Sequence, residues 1–257
     1  MIYELSKDLR KSLIPMFDGM DSTIILSCLQ GHMGSAWVDD LENPTVAQVT
    51  VGIFVFFAGN PNTKTAEELL YNLSDYNLVI VNTDEWKGRI ETVHNGSIEK
   101  FPRYNFTKNP EHLSKGHLQK LLSPLPAGYE LKKIDATIAK ESSLHELSED
   151  FIAQFNSIDD FISRGVGFVV LNEGQVVCGA TSFSIYDEGI EIEIATHPQH
   201  RRKGLATITA SALILDCLDR GIYPSWDGAN NESVKLAEKL GYIFKESYDT
   251  YFIDYVR

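Results

Sequence analysis

Hydrophobic residues recur with regular spacing through the second half of the chain. Alternation with a period of two residues predicts strands over residues 129–134, 166–171, 175–186, 190–196 and 223–227, and a terminal pair of strands over 242–255. Helical spacing predicts helices over residues 136–163, with breaks near Ser142 and Asn156, and over 204–219 and 232–240. Gly221 and Gly241 are expected to end the last two helices, because glycine readily adopts the left-handed conformation that follows a helix. The order β-α-α-β-β-β-α-β-α-β-β is typical of an α/β (α+β) fold.

The first half of the chain shows a looser version of the same pattern. Strands are predicted over residues 35–40, 47–58 and 78–81, a final strand or hairpin over 97–107, and helices over 66–71 and 85–93. We therefore hypothesise that both halves are versions of one α/β unit, although no residue-level similarity is visible between them. Two prolines and a glycine within residues 122–130 predict a boundary between an N-terminal α/β domain, residues 1–125, and a second domain, residues 126–257.

The composition limits the partners that this chain can bind. Its 257 residues carry a formal net charge of -13, which disfavours nucleic acid and favours a cationic small molecule or an amine. No stretch approaches the roughly 20 apolar residues of a membrane span, and the first residues do not resemble a signal peptide. The three cysteines and seven histidines form no metal-binding spacing. We therefore expect a cytoplasmic protein with reduced cysteines and no metal ion, either a monomer or a homodimer.

One segment combines a strand, a basic turn and the start of a helix. Arg201, Arg202 and Lys203 precede Gly204, where the long predicted helix begins. A helix start favours acidic side chains, so three consecutive cations there indicate that an anion binds among them; the alternative is a solvated surface turn. Backbone N–H groups of the loop and of the first helical turn would bind a diphosphate, and Gly204 and Ala206 would leave room for it.

Two motifs resemble those of the GNAT N-acetyltransferase superfamily. Residues 196–206, with the pattern Thr-x-Pro-x-x-Arg-x-x-Gly-x-Ala, are similar to its acetyl-CoA loop, and residues 230–242 look like its second sequence block. The resemblance covers residues 129–257. It implies a GNAT fold, with a mixed, mostly antiparallel central sheet flanked by helices. It also implies an acetyl-CoA-dependent N-acetyltransferase whose acceptor is an amine.

A narrower resemblance extends over the whole chain. Residues 17–23, 29–31, 34–40 and 54–59, together with Trp226-Asp227, look like the GNAT subfamily that includes zwittermicin A resistance proteins. This resemblance implies acetylation of an amino-bearing small molecule, such as a metabolite or an antibiotic, in a detoxifying role.

The superfamily resemblance also implies where acetyl-CoA binds. The pantetheine arm would lie between the fourth strand, residues 190–196, and the diverging fifth strand. A backbone N–H near Ile194 or Ala195 would stabilise the oxyanion that develops at the thioester. The residues expected to contact acetyl-CoA are Ile194, Ala195, Thr196, Arg201, Arg202, Lys203, Gly204, Leu205, Ala206, Thr207 and Asn230.

A carboxylate is expected to take the proton that the attacking amine loses. Alternation places Glu191 and Glu193 on one face of the strand and the isoleucines on the core face, so both glutamates are expected to face the cleft or water. Either glutamate is a candidate base, and the alternative is that both are solvated strand residues. Asp227 is a candidate for binding a cationic acceptor. Trp226 is a candidate wall of the acceptor pocket or a core residue.

The second block departs from the superfamily pattern at one position. Many members have a tyrosine there that protonates the leaving thiolate, whereas this chain has Ala237. Ser233, Tyr242 or water would take that role, or the thiolate would leave unaided, because a free thiol has a pKa of about 8.5. The same departure favours an alternative function, a non-catalytic acyl-CoA sensor or interaction module. A protein N-terminal acetyltransferase is a third hypothesis.

Overall fold

The computed structural model describes residues 1–254, and the chain divides into two compact units. One unit comprises Met1–Arg103 with the segment from Ser247 onward, and the other comprises Tyr104–Glu246. The predicted boundary after residue 125 lies within the second unit, and the assignment of two domains stays a prediction. Tyr255, the last residue of the predicted terminal strands, lies outside the described residues.

The secondary structure alternates between strands and helices along both units. The strands are β1 (Tyr3–Glu4), β2 (Ser35–Val38), β3 (Val46–Val51), β4 (Phe54–Gly59), β5 (Tyr76–Ile80), β6 (Ile98–Phe106), β7 (Tyr129–Lys133), β8 (Gly167–Asn172), β9 (Gln175–Tyr186), β10 (Gly189–Thr196), β11 (Tyr223–Ser225), β12 (Asp227–Gly228) and β13 (Phe244–Asp254). The helices are α1 (Thr23–Leu29), α2 (Lys64–Leu70), α3 (Asp84–Val93), α4 (Lys115–Leu121), α5 (Ser142–Leu147), α6 (Ile158–Arg164), α7 (Leu205–Asp219) and α8 (Asn231–Leu240).

The first unit is built on a sheet with strand order β1-β2-β3-β4-β5-β13-β6. Neighbouring strands from β1 to β4 are antiparallel, β4 and β5 are parallel, and β13 is antiparallel to β5. Helices α2 and α3 contribute to a core that contains Phe57, Trp86, Tyr251 and Ile253. Because Tyr251 and Ile253 are fully buried, the last strand completes the core of the first unit.

The second unit is built on a sheet with strand order β11-β10-β9-β8-β7. Strands β10 and β11 are parallel, and the other neighbours are antiparallel. Helix α7 packs against β8, β9 and β10, and its Leu205 is buried in a core with Val170 and Cys178. The turn between β8 and β9 contains Glu173 and Gly174, which have φ angles of 52° and 81° and so form the tight hairpin that the sequence predicts.

The two sheets share one series of strand orientations. In each, three antiparallel pairings precede one parallel pairing, and a helix connects the two parallel strands: α2 between β4 and β5, and α7 between β10 and β11. This agreement supports the hypothesis that both halves are versions of one α/β unit. The predicted α/β class, with mixed and mostly antiparallel sheets flanked by helices, is confirmed.

Three predicted elements of the second half differ from the structure. The strand over 223–227 divides at Trp226, because β11 pairs with β10 whereas β12 pairs with β6. The predicted terminal pair of strands is one strand, β13. The helical region 136–163 consists of α5 and α6 with short 3-10 turns beside α5, because Ser148 and Ser157 have extended backbone conformations that interrupt it.

Pattern analysis does not predict helix α1. Its segment, Thr23–Leu29, is buried at all but one position, so no polar face marks a helical period. The β-branched residues at its start also favour a strand by propensity. Within residues 1–254, no helix combines the length and the apolar character that crossing a bilayer requires.

Candidate active site

A gap opens in the second sheet because strand β10 is longer than strand β11. The two strands pair from Gly189 with Tyr223 to Glu191 with Ser225, and the chain then leaves at Trp226 to form β12. Residues 192–196 of β10 therefore have β9 on one side and no residue of β11 on the other. This is the divergence that the sequence analysis expects between the fourth and fifth strands.

The hydrogen bonds of β10 determine which backbone groups face this gap. The N–H of His197 donates to the carbonyl of Val177 at 2.9 Å, and alternate residues of an antiparallel strand point to the same neighbour. Ala195 therefore pairs with β9, whereas the N–H and C=O groups of Ile194 and Thr196 point to the side of the gap. Arg201 Nε donates to the Thr196 carbonyl at 3.1 Å, which agrees with this orientation. Of the two N–H groups considered from the sequence, the geometry favours Ile194.

The two faces of β10 have different surroundings. Thr196 Oγ1 lies 3.2 Å from Cys178 Sγ, and Thr209 Oγ1 of α7 donates to the same sulfur at 3.5 Å, so this face packs on α7. Glu193 lies on the opposite face, where Ser148 Oγ donates to its Oε1 at 3.3 Å. Ser148 precedes a 3-10 turn, Glu149–Phe151, that packs against this face. Glu193 is half-buried, beside a hydrogen-bonding partner that the sequence analysis did not identify.

Glu191 does not lie where the sequence analysis places it. Its side chain is 5% exposed, so the expectation that it faces the cleft or water is wrong. Its negative charge contributes to raising the pKa values of Tyr186 and Tyr242, after the larger effect of their own burial. The physical reason is that Glu191 lies where β10 is still paired with strands on both sides, whereas Glu193 lies beyond the end of β11.

The basic loop is open and carries uncompensated positive charge. Arg201, Arg202, Lys203 and Gly204 are all exposed, and helix α7 has no acidic residue in its first turn. No carboxylate among residues 1–254 forms a salt bridge with any of the three cations. Arg202 and Gly204 have φ angles of 62° and 78°, and a Cβ at Gly204 would meet no atom within 4 Å. This arrangement suits an anion at the start of α7.

In contrast to the exposed basic loop, the first turn of α7 has buried or half-buried side chains. Leu205 is buried in the core and Ala206 is half-buried beside it, so these residues offer backbone groups to the loop. Thr207 is 8% exposed, and its Oγ1 accepts a hydrogen bond from Lys239 Nζ of α8 at 3.3 Å. Lys239 is thus a fourth cation near this helix start, which the sequence analysis did not identify.

Tyr129, the first residue of β7, contacts the basic loop. Lys203 Nζ donates to the Tyr129 hydroxyl at 2.6 Å and lies 5.2 Å from the centre of its ring. The same hydroxyl lies 2.9 Å from His200 Nδ1. Partial burial and the charges of Lys203 and His197 lower the pKa of His200, so its ring is neutral at neutral pH. No motif marks Tyr129, because its partner is distant in the sequence.

The second block forms a local hydrogen-bonded group at the start of α8. Asn230 Oδ1 accepts from the N–H of Ser233 at 2.9 Å and caps the helix. Ser233 Oγ accepts from Trp226 Nε1 at 3.0 Å. The Trp226 side chain is 3% exposed and packs on Tyr242 with ring centres 5.5 Å apart, so it is a core residue and not a pocket wall. Asp227 is half-buried on β12.

Comparison with protein families agrees with this geometry. The family model described as GNAT acetyltransferase matches residues 14–251. This chain belongs to the GNAT acetyltransferase family. Because the match begins in the first unit, the family relationship extends beyond the second half, where the two sequence motifs lie.

Similar proteins cover nearly the whole chain. An uncharacterized N-acetyltransferase of Bacillus subtilis (strain 168), YdfB, is 29% identical over 265 residues, and the match covers 98% of both proteins. The crystal structure of a GCN5-related N-acetyltransferase-like protein from Streptococcus suis 89/1591 is 36% identical with a TM-score of 0.87, covering 95% of this chain and 98% of that one. A tandem GNAT protein from the clavulanic acid biosynthesis pathway is 10% identical with a TM-score of 0.58, covering 99% of this chain and 98% of that one, and shows the fold alone.

Ala237 lies at the position where the superfamily resemblance implies a tyrosine. Ala237 is fully buried, and its carbonyl accepts from the N–H groups of Gly241 and Tyr242. The Tyr242 hydroxyl donates to the Pro224 carbonyl at 2.6 Å, and burial raises its pKa well above the usual value. Tyr242 therefore holds its proton in a structural hydrogen bond, and the geometry disfavours it as an acid. The half-buried Ser233 hydroxyl can still donate its own proton.

Proposed function

We propose that this GNAT protein is an acetyl-CoA-dependent N-acetyltransferase that acetylates a primary amine of a small molecule by direct attack on the thioester. One observation carries the proposal. The backbone of Ile194 and Thr196 faces the gap beyond the end of β11, and β10 leads directly into the basic loop at the start of α7. The basic loop suits the diphosphate of one long ligand, and the open backbone of β10 suits its amide-bearing arm.

The residues present fit acetyl-CoA. Loop N–H groups, with the cationic side chains of Arg201 and Arg202, would hold the diphosphate at the start of α7. The backbone of Ile194 and Thr196 would align the pantetheine arm, with Asn230 at its side, and the Ile194 N–H would stabilise the oxyanion. Acetyl-CoA would supply the acetyl thioester.

Glu193 is the favoured base because it lies on the open part of β10. Its carboxylate accepts a hydrogen bond from Ser148, which orients it on the open part of the strand, where a carboxylate could take the proton of the amine directly or through water. Glu191 stays a second candidate, although its burial makes proton exchange with the cleft more difficult. Asp227 would attract the cationic acceptor. Ser233 or water would protonate the leaving thiolate.

The acceptor class follows from charge. A net charge of -13 favours an amine that is cationic before it loses its proton. The resemblance to zwittermicin A resistance-type proteins suggests that the acceptor is an amino-bearing metabolite or antibiotic. We place the protein in the cytoplasm, because its three cysteines are buried free thiols, which suit a reducing compartment. We expect a monomer or a homodimer.

Thiol release from acetyl-CoA tests the proposal directly. The purified chain is incubated with acetyl-CoA and single primary amines, which include amino sugars, polyamines, amino acid amides and a peptide, and free CoA is followed over time. We expect release above the hydrolysis rate with at least one small amine, and a product heavier by one acetyl group. A preference for the peptide would support an N-terminal acetyltransferase instead.

The buried Ala237 favours one competing function, an acyl-CoA sensor without catalysis. Neither Ala237 nor the sequestered Tyr242 supplies an acid, so catalysis would depend on Ser233, on water or on unaided departure of the thiolate. If acetyl-CoA raises the melting temperature while no amine of the panel releases thiol, the sensor replaces the enzyme. If acetyl-CoA does not bind, both functions are excluded.

A further inference from the structure

Lys203 and Arg201 of the basic loop are anchored by hydrogen bonds to different strands. Arg201 Nε donates to the carbonyl of Thr196 on β10, whereas Lys203 Nζ donates to the hydroxyl of Tyr129 on β7. Strands β9 and β8 lie between β10 and β7, so the two side chains are anchored to strands that are not neighbours in the sheet. The loop therefore directs positive charge to two places.

The hydrogen bonds around Tyr129 have a defined direction. A lysine ammonium only donates, so the Tyr129 oxygen accepts from Lys203 and its single proton is available for Nδ1 of His200. The ring of Tyr129 also lies against the Lys203 ammonium and meets the His200 ring edge-on. Tyr129, which itself contacts His200, thus fixes the ammonium, which keeps two further N–H groups for a ligand and has no carboxylate partner among residues 1–254.

CoA has phosphate at two places, the diphosphate and the 3′-phosphate of its ribose, and this geometry offers two cationic places. We propose that Tyr129 is a positioning residue that holds Lys203 as the contact for the 3′-phosphate, so that the site distinguishes CoA from dephospho-CoA. The inference rests on the proposed function, because it requires CoA to bind at the start of α7. Its basis is the Tyr129 contact, which lies outside both sequence motifs.

Titration calorimetry with CoA and dephospho-CoA tests this role. We expect the native chain to bind CoA about tenfold more tightly than dephospho-CoA, the size of one charge-assisted contact. Lys203→Met should remove most of that preference. Tyr129→Phe, which keeps the ring but loses the hydroxyl, should reduce the preference severalfold. Lys132→Met removes a neighbouring exposed cation of β7 and should leave the preference unchanged. Arg201→Gln should weaken both ligands equally.

A double variant separates positioning from a general structural effect. In Lys203→Met, the further change Tyr129→Phe should not alter the ratio of the two affinities, because Tyr129 acts through Lys203. The proposal is overturned if the native chain binds CoA and dephospho-CoA equally, or if the preference for CoA remains in Lys203→Met. It is also overturned if Tyr129→Phe changes the ratio of the two affinities equally with and without Lys203. Failure of the proposed function has a different signature, since neither ligand would then bind the native chain.

Discussion

Gly204 begins helix α7 from a backbone conformation that other residues rarely adopt. Its φ is 78°, and a Cβ there would meet nothing within 4 Å, so the protein itself leaves the space open. A side chain would therefore cost backbone strain and would also occupy the place where a diphosphate approaches the N–H groups. Those two costs can be separated, because another glycine, just beyond the far end of α7, would carry the cost of backbone strain alone.

We expect Gly204→Ala to weaken CoA binding by about tenfold or more and to destabilise the fold by about 1 kcal/mol. Gly221, just beyond the other end of α7, has a φ of 71° and equally open surroundings, so Gly221→Ala is the matched control for strain. Calorimetric titration with CoA and urea unfolding measure both quantities. Equal losses of CoA affinity in the two variants would contradict a ligand at Gly204.

Glu193 and Glu191 differ by two positions on one strand but have different environments. We expect Glu193→Gln to lower kcat by roughly 100-fold or more with little change in the KM for acetyl-CoA, because the glutamine cannot accept the proton of the amine. Glu191→Gln is the comparison: a larger fall in kcat there than in Glu193→Gln would transfer the role of base to Glu191.

At the scale of elements, the short helix α6 is stabilised at its first turn. Ser157 Oγ accepts from the N–H of Asp160 at 3.1 Å, and Asp160 accepts two hydrogen bonds of 2.6 Å from Arg164. The Arg164 hydrogen bonds lower the pKa of Asp160 to about 2. Because the pKa is lower in the folded state, the stabilisation is complete above the ordinary aspartate pKa and is lost as pH falls towards 2.

Asp160→Asn should therefore destabilise the second unit by about 1 kcal/mol at pH 7, a figure kept small because the pair is partly exposed. Urea unfolding of native and variant chains should show the difference shrink as pH approaches 2. Asp159→Asn removes a charge from the same turn without an arginine partner and should have a smaller effect. A difference that persists unchanged at pH 2 would contradict the ionic origin of the stabilisation.

At the scale of the whole molecule, the two units are interleaved in sequence. Strand β13 belongs to the sheet of the first unit and pairs with β5, although it follows the entire second unit in the chain. Its Tyr251 and Ile253 are fully buried in the core of the first unit. The predicted N-terminal domain, residues 1–125, therefore lacks a strand that its own core needs.

A fragment of residues 1–125 is expected not to fold cooperatively, as measured by near-ultraviolet circular dichroism and urea titration. In the full chain, Ile253→Ala should cost about 2–5 kcal/mol, because it leaves a cavity in a fully buried core. Phe252→Ala, at the half-buried neighbouring position, is the control and should cost less. A fragment that unfolds cooperatively without β13 would show that the first unit is independent.

The sequence by itself determined the features that depend on neighbouring residues. The hairpin at Glu173-Gly174, the start of α7 at Gly204 and the end of α8 at Gly241 follow from local backbone preferences and hydrophobic spacing, and the structure confirms them. The basic loop could be identified in the same way, because its three cations are adjacent. The family motifs are also local, and the family match agrees with them.

Only the tertiary structure decided which distant residues meet. Tyr129 reaches Lys203 across 74 positions, Ser148 reaches Glu193 across 45, and β13 returns to β5 past the second unit. The burial of Glu191 depends likewise on where β11 ends, which the pattern of β10 does not contain. The physical reason is that spacing along a chain fixes the faces of an element, whereas packing between elements decides what each face contacts.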